Sequence, residues 1–378
     1  MSPLFCQSAN AAKPGTLKSL WTRALAWAWL VLVSLLPGPT LLAQTSASTD
    51  TAYLDVSLSV FKTNIPETER EQLAAGIYPR IRQAEARYIP FYLRENLAAS
   101  MRWGAVRVMP EEDPGAELLI SGEIIESRGN TLILHITARD SRNHEWLNKT
   151  YQDTTPVFAE QLNDKALYDP FQSLYRQVIS ELEAKLASLD QAEIALIKNL
   201  AMLRYASGLA PETFASFVQT QPDGSLSYAR LPAANDPLFE RVKAIRNHEY
   251  LFVDTVDEQY RTYFQTMKPV YDLWRQYNQD QSQQLDDFET RRQNRSNTEA
   301  AGTYEAYRRS YRNFSFRKLE DQYLEELAQG FDNELKPNTL DLEDSVVNLS
   351  GTLEAQYAEW QDILKSFYLL ETGAAPDK

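Results

Sequence analysis

The chain has 378 residues, of which 38 are basic and 52 acidic, so its net charge at pH 7 is −14. This acidic balance, without any cluster of Lys and Arg among aromatic residues, argues against nucleic-acid binding. The one cysteine, Cys6, precedes an apolar run near the amino terminus. The residues after that run therefore offer no thiol for a disulfide, a thiolate metal site or a nucleophile.

Residues 1–43 have the pattern of a secretory signal peptide. Three basic residues, the last of them Arg23, precede an apolar run at 24–36, and Ala43 offers a cleavage site. The run is about half of the ~20 residues that span a bilayer, so we expect cleavage before Gln44, with a retained amino-terminal anchor as the alternative. Because Cys6 lies before the run, a lipoprotein is not expected. The processed chain would have 35 basic and 52 acidic residues, a net charge of −17, and no further membrane span.

Residues 51–155 have the pattern of a mixed β-sheet with a covering helix. An alternating apolar strand is expected at 53–61, a helix at 80–101 with a bend at Pro90, and a short strand at 105–109. A strand-helix-strand unit of this kind brings its two strands together in parallel.

The end of this segment predicts an antiparallel three-stranded meander. Apolar residues recur at every second position of its middle strand, at Leu132, Leu134, Ile136 and Ala138. Polar residues fall mostly between them, at Thr131, His135, Thr137 and Arg139. This alternation is typical of a strand with one buried and one wet face, and turn-forming residues at 128–130 and 140–143 separate the strands.

Residues 53–152, and above all the run AELLISGEIIESRGNTLILHITARD at 116–140, resemble the amino-terminal domain of the Tol-Pal translocation protein TolB and related envelope modules. The matching positions are Ala116 to Gly122, Ile124 and the hairpin that ends at Asp140. The resemblance implies a binding module in the periplasm and carries over no catalytic residues. The β-propeller pattern that completes TolB does not occur in this sequence.

Residues 168–220 predict a helical connector. Asp169 is a candidate cap with Pro170 at the first helical position, and an apolar stripe follows at helical spacing. A second helix is expected at 192–205, before a loop at 220–235 that contains a Pro-Asp-Gly-Ser turn.

Residues 236–373 predict a bundle of long amphipathic helices. Asp236 and Pro237 begin the longest pattern, which Pro269 is expected to kink, and a polar stretch at 278–303 precedes a returning helix at 304–331. The last helix is predicted from a seam with nearly heptad spacing, comprising Leu342, Val346, Leu349, Leu353, Tyr357, Trp360, Leu364 and Phe367. An antiparallel coiled-coil bundle within one chain is expected, with an oligomer as the alternative.

No motif in the sequence identifies a catalytic, cofactor or metal site. The three histidines, His135, His144 and His248, have no zinc-site spacing, and the usual nucleotide and serine-hydrolase signatures do not occur. Acidic residues cluster at 111–113, at Asp254, Asp257 and Glu258, and at 286–287. A solvated acidic face is the expected explanation, because charge runs usually mark exposure. The alternative is an enzyme that cleaves envelope glycan with two facing carboxylates.

A tyrosine-rich stripe in the last third is the most unusual feature. Two interpretations are open: packing between helices, or a partly exposed surface for a protein or glycan partner. The candidate interaction residues are Tyr260, Tyr263, Tyr271, Trp274, Tyr304 and Tyr307.

Together these patterns predict an α+β fold with an amino-terminal mixed sheet and a carboxyl-terminal helical bundle. The sequence favours a non-enzymatic interaction or scaffolding protein of the Gram-negative periplasm over an enzyme. The expected partner is an envelope protein or glycan.

Overall fold

A computed structural model describes residues 53–75, 77–155, 169–295, 338–342 and 345–373, within a compact unit that extends from Ala52 to Lys378. The architecture is mixed α+β, with a five-stranded sheet in the amino-terminal part and helices later in the chain. Among the described helices, none combines the length and the apolar character needed to cross a bilayer. The predicted signal at 1–43 lies outside the described residues.

The sheet confirms the predicted parallel pair and the antiparallel meander. Its strands are arranged in the order β2-β1-β3-β4-β5, with β1 parallel to both β2 and β3 and with β3, β4 and β5 forming the antiparallel meander. The strands are β1 (Val56–Ser59), β2 (Val106–Met109), β3 (Leu118–Ser127), β4 (Thr131–Asp140) and β5 (Glu145–Thr154).

The alternation along β4 is confirmed in full. The side chains of Leu132, Leu134, Ile136 and Ala138 are 0% exposed, whereas the polar residues between them are half-buried or exposed. A bulge between Ile124 and Glu126 shifts the β3–β4 register and leaves Ile125 46% exposed, although it belongs to an apolar run.

Two helices precede β2, and two more follow the meander. They are α1 (Glu69–Ala74), α2 (Pro79–Ala99), α3 (Gln172–Ala187) and α4 (Gln191–Leu209). Pro79 starts α2, and the helix continues through Pro90. The predicted cap at Asp169, with Pro170 at the first helical position, was wrong: the cap position of α3 is Phe171, which makes no side-chain capping bond. Asp169 accepts a hydrogen bond from the Phe171 amide at 2.8 Å in the turn before the helix. The start of α4 is fixed by a reciprocal capping box between Asp190 and Glu193, which the sequence analysis missed.

A short helix and a small hairpin lead to the longest helix. These elements are α5 (Pro211–Phe214), β6 (Val218–Thr220), β7 (Leu226–Tyr228) and α6 (Pro237–Arg295). Asp236 caps α6 as predicted, since its side chain accepts hydrogen bonds from the Leu238 and Phe239 amides at 3.0 and 3.3 Å. With 59 residues, α6 is about 88 Å long and contains Pro269.

The carboxyl-terminal part departs from the predicted bundle. The strands β8 (Asn338–Leu342) and β9 (Ser345–Leu349) pair as an antiparallel hairpin, and only then does α7 (Leu353–Thr372) begin. The prediction of a helix from Leu342 was therefore wrong. β-Branched residues at 346–347 favour a strand, and the Thr352 side chain caps the helix by accepting from the Ala355 amide. The predicted returning helix at 304–331 lies outside the described residues.

Helix α7 packs against the first half of α6 in the antiparallel direction. Tyr357 donates a hydrogen bond to Glu249, and fourteen residues further along α7 the Glu371 carboxylate pairs with Arg241, which precedes Glu249 on α6. This pair of helices agrees with the predicted antiparallel arrangement, while an all-α bundle is not what the described residues form.

Two hydrophobic cores organise the described residues. The first joins the inner face of the sheet to α2, α3 and the middle of α6, and it includes Phe171, Phe264 and Trp274. The second joins the first half of α6 to α4, the carboxyl-terminal hairpin and α7. The predicted boundaries at 51–155, 168–220 and 236–373 therefore do not separate the hydrophobic cores.

Candidate interaction surface

The outer face of the meander is a polar surface that the sheet positions. Because side chains alternate along each strand, the residues between the core positions stand in rows across β3, β4 and β5. The registers place Glu123, His135 and Thr150 in one row and Ser121, Thr137 and Asn148 in the next. A third row contains Leu119 and Arg139.

A cleft of about 350 Å³ lies on this face. It is lined by residues of β3 and β4 and of the segments that follow β1 and β2, namely Lys62, Glu112, Leu119, Ser121, Gly122, Glu123, His135, Thr137 and Arg139. Gly122 has no space for a side chain, since an added Cβ would lie 2.5 Å from the Phe61 ring. We call this cleft the sheet-face cleft.

The acidic side chains of the sheet-face cleft accept hydrogen bonds from other residues, whereas its lysine and arginine side chains have no such partner among the described residues. Glu112 accepts a hydrogen bond from the Ser121 hydroxyl at 3.0 Å, and Glu123 accepts one from the Asn64 amide at 2.5 Å. No described residue forms an ion pair or hydrogen bond with the side chain of Lys62 or Arg139. These two cations therefore remain available to an external group.

Two of the six predicted aromatic residues are buried in a core. Tyr271 and Trp274 are 3% and 2% exposed and belong to the first core, where the Tyr271 ring lies 4.7 Å from that of Tyr88. The exposed-surface interpretation was wrong for these two residues, because α2 covers this side of α6. Tyr260 is half-buried between the two cores. The side chain of Tyr263, and Tyr304 and Tyr307 entirely, lie outside the described residues.

One buried polar network links α6 to α2 and β3. Glu85 on α2 accepts hydrogen bonds from the Ser127 hydroxyl at 2.6 Å and the Tyr271 hydroxyl at 2.9 Å, and the Arg275 guanidinium lies 3.3 Å away. Arg275 also donates to the Arg128 carbonyl at 2.8 Å. We call these residues the Arg275 cluster.

A second buried network links the first half of α6 to α7 and to the loop after β2. Arg246 pairs with Asp113 and, at 2.7 Å, with Glu249. Glu249 also accepts hydrogen bonds from Tyr357 at 2.5 Å and from Gln361 at 3.1 Å. We call these residues the Arg246 cluster.

The predicted acidic clusters are divided among different roles. Asp113 is buried in the Arg246 cluster, and Glu112 lines the sheet-face cleft. Asp254 accepts two hydrogen bonds from Arg107, at 2.7 and 3.1 Å, whereas Asp257 is buried beside Arg94. The side chains of residues 286–287 are not described.

Four of the described acids have a raised pKa, and none of them lines the sheet-face cleft. Burial raises the pKa of Glu117 to about 7, that of Asp257 to about 7 and that of Asp169 to about 6, and it also raises the pKa of Asp272. Lys198 and the Asp55 amide counter the effect at Glu117, and Arg275 counters it at Asp169. Each of these acids lies where a helix packs against another part of the fold. Burial at these packing contacts therefore explains the raised pKa values.

Sequence reasoning identified part of this surface without recognising it as a site. The alternation along β4 placed His135, Thr137 and Arg139 on a wet face, which the structure confirms. Lys62 and Glu112 were missed because they come from segments beyond β1 and β2, and only the sheet brings them beside β3. Among the described residues, no group of three or more His, Cys, Asp or Glu is arranged to hold a metal ion.

No protein-family model matches this chain, and comparison with curated proteins and with solved structures gives no match either. The resemblance of residues 53–152 to the TolB amino-terminal domain therefore stays a prediction.

Proposed function

We propose that this chain is a non-enzymatic interaction protein of the Gram-negative envelope and that the sheet-face cleft is its contact surface. The observation that carries the proposal is a contrast between charged side chains that form buried ion pairs and two cations of the cleft that form none. Arg246, Arg275, Asp113 and Glu85 are buried and engaged in holding α6 in place, whereas Lys62 and Arg139 meet no described partner. An open polar sheet face whose cations have no described ion-pair partner favours binding of another molecule over catalysis.

The cleft also supplies groups suited to orienting a partner. Cations stand at Lys62 and Arg139, and hydroxyls from Ser121 and Thr137 lie in the row between them. Charged and polar groups of this kind contribute to specificity and association rate more than to raw affinity. The proposed partner is an envelope protein or glycan that presents acidic and hydrogen-bonding groups.

The arrangement does not favour the alternative of a glycan-cleaving enzyme. Such an enzyme needs one carboxyl with a raised pKa facing a second carboxylate across a cleft. The acids that line the sheet-face cleft are Glu112 and Glu123, and each is hydrogen-bonded by a neutral donor. The described acids with a raised pKa, Glu117, Asp169, Asp257 and Asp272, do not line it.

The test is affinity capture from envelope extract with the processed chain and two double variants. Lys62→Ala with Arg139→Ala removes both cations of the cleft. Arg102→Ala with Lys365→Ala is the matched control, because it removes one exposed arginine and one exposed lysine away from the cleft. We expect the wild type and the control to capture the same component, and the cleft variant to lose it. Equal capture by all three proteins would contradict the proposed surface.

The proposed periplasmic localisation has a separate test. A cleavable signal predicts a chain in the periplasmic fraction that begins near Gln44, measured by intact-mass spectrometry. An intact chain beginning at Met1 in the membrane pellet would contradict cleavage and support the retained anchor.

A further inference from the structure

Helix α6 covers the edge strand of the sheet at β2. Asp254 and Asp257 are the two acids of α6 at this contact. Asp254 is half exposed and makes a two-pronged interaction with Arg107 of β2. Asp257, almost one turn further along the helix, is 1% exposed. One carboxylate at this junction is therefore solvated and well paired, and the other is enclosed.

The enclosed carboxylate is incompletely compensated. Neither oxygen of Asp257 accepts a hydrogen bond of normal geometry from a described residue. Its ion-pair partner is Arg94 of α2, whose Nη2 lies 3.4 Å from Oδ2. That guanidinium is shared, since it also donates to the Val106 carbonyl at 3.1 Å and pairs with Glu95. A buried carboxylate without hydrogen bonds is costly when ionised and much less so when protonated.

The charged neighbours of Asp257 come from three elements. On α2 they are Arg94 and Glu95, on β2 Arg107, and on α6 Asp254, Glu258 and Arg261. The neutral Val108 amide of β2 also favours the ionised form. Burial raises the pKa of Asp257 most, Arg94 lowers it, and Asp254 raises it further, so that the pKa reaches about 7.

We propose that the docking of α6 on strand β2 is a proton-responsive latch, closed when Asp257 is protonated and weakened when it is ionised. Asp257 is the acid of α6 that is enclosed at this edge, and the same helix carries both the Arg246 and the Arg275 clusters. A change in its seating at β2 would therefore be transmitted to both hydrophobic cores. The inference is independent of the proposed contact surface.

The sign of the effect follows from the two states of the latch. When α6 is docked, Asp257 has a pKa of about 7, whereas in the open state it regains its ordinary value near 4. The docked state therefore binds more protons between these values, and docking weakens as pH rises from about 4 to 7 and then levels off. The population of the open state should rise by up to about tenfold per pH unit within that window.

The test is hydrogen exchange on the processed chain between pH 5 and 8, corrected for the intrinsic exchange rate. We expect the amides of 106–109 and 253–260 to lose protection as pH rises to 7, while those of the central strand β4 change less. D257N should remove this pH dependence and keep the segments protected at pH 8. D254N, which removes the solvated ion pair on the same face, should retain the pH dependence.

A D257N protein with the wild-type pH profile would overturn the proposal. If that variant does not fold, the wild-type profile decides: protection at β2 that stays parallel to that of β4 from pH 5 to 8 would overturn it as well.

Discussion

The Arg246 and Arg275 clusters lie on the same helix and bury the same kind of cation, but they compensate it differently. Arg246 meets two carboxylates, Asp113 and Glu249, and its guanidinium lies 4.3 Å from the centres of the Tyr205 and Tyr250 rings. Arg275 meets one carboxylate, Glu85, at 3.3 Å. Its remaining donors go to neutral oxygens, namely the Tyr271 hydroxyl, the Ser127 hydroxyl and the Arg128 carbonyl.

The difference shows two ways of anchoring one helix. At Arg246, burial works against the guanidinium, yet Asp113 and Glu249 outweigh it and raise its pKa. At Arg275, hydrogen bonds extend over α2, the β3–β4 turn and α6 itself, and they fix the helix against the sheet. Gly129 lets the turn approach closely, since an added Cβ would lie 2.3 Å from the Gln279 nitrogen. Two paired carboxylates therefore characterise one anchor, and one carboxylate with hydrogen bonds to three elements characterises the other.

The largest expected effect comes from removing each cation. Arg246→Met leaves two buried carboxylates without their cation and should reduce the free energy of unfolding by about 3–5 kcal/mol. Arg275→Met leaves Glu85 still hydrogen-bonded by Ser127 and Tyr271, so the loss should be smaller, about 2–3 kcal/mol. Chemical denaturation at pH 7.5 measures both, with the exposed Arg102→Met as control. Equal losses would mean that the two anchors do not differ as described.

The second prediction tests how much α7 contributes to stability beside the Arg246 cluster. Trp360 is 1% exposed and stacks near Phe252, with ring centres 6.3 Å apart. Trp360→Ala should cost about 3–5 kcal/mol of unfolding free energy, by the transfer and cavity costs of aromatic truncation. The exposed neighbour Glu359→Ala should stay within about 0.5 kcal/mol. A small effect at Trp360 would show that α7 contributes little to this region.

The smallest prediction compares one hydroxyl in each cluster. Tyr357 donates a hydrogen bond to Glu249. In Tyr357→Phe, Glu249 would still accept hydrogen bonds from Arg246 and Gln361, so the free energy of unfolding should fall by about 1.5 kcal/mol. Tyr271 both donates to Glu85 and accepts from Arg275 at 2.9 Å, so Tyr271→Phe should cost more, about 2–3 kcal/mol. Thermal or chemical denaturation measures the difference. A larger loss of unfolding free energy for Tyr357→Phe than for Tyr271→Phe would contradict the proposal that hydrogen bonds contribute more to the Arg275 cluster.

Local patterns in the sequence determined the sheet and the start of α6. The alternation from Leu132 to Ala138 is enough to predict the buried face of β4, because a strand has a period of two residues. Asp236 followed by Pro237 predicts the start of α6, because the cap and the proline act on adjacent backbone groups. The wet face that includes His135 and Arg139 follows from the same alternation.

Tertiary structure decided what those patterns left open. Whether Tyr271 was core or surface depended on α2, which lies about 180 residues earlier in the sequence and covers that side of α6. The partners of Arg246 and Arg275 come from Asp113 and Glu85, also far away in the chain. The apolar spacing from Leu342 to Phe367 suited a helix seam, but pairing between 338–342 and 345–349 placed its first three members in a hairpin. Periodicity reports only which side of an element is apolar, whereas burial, charge pairing and strand pairing depend on which distant segment supplies the other side.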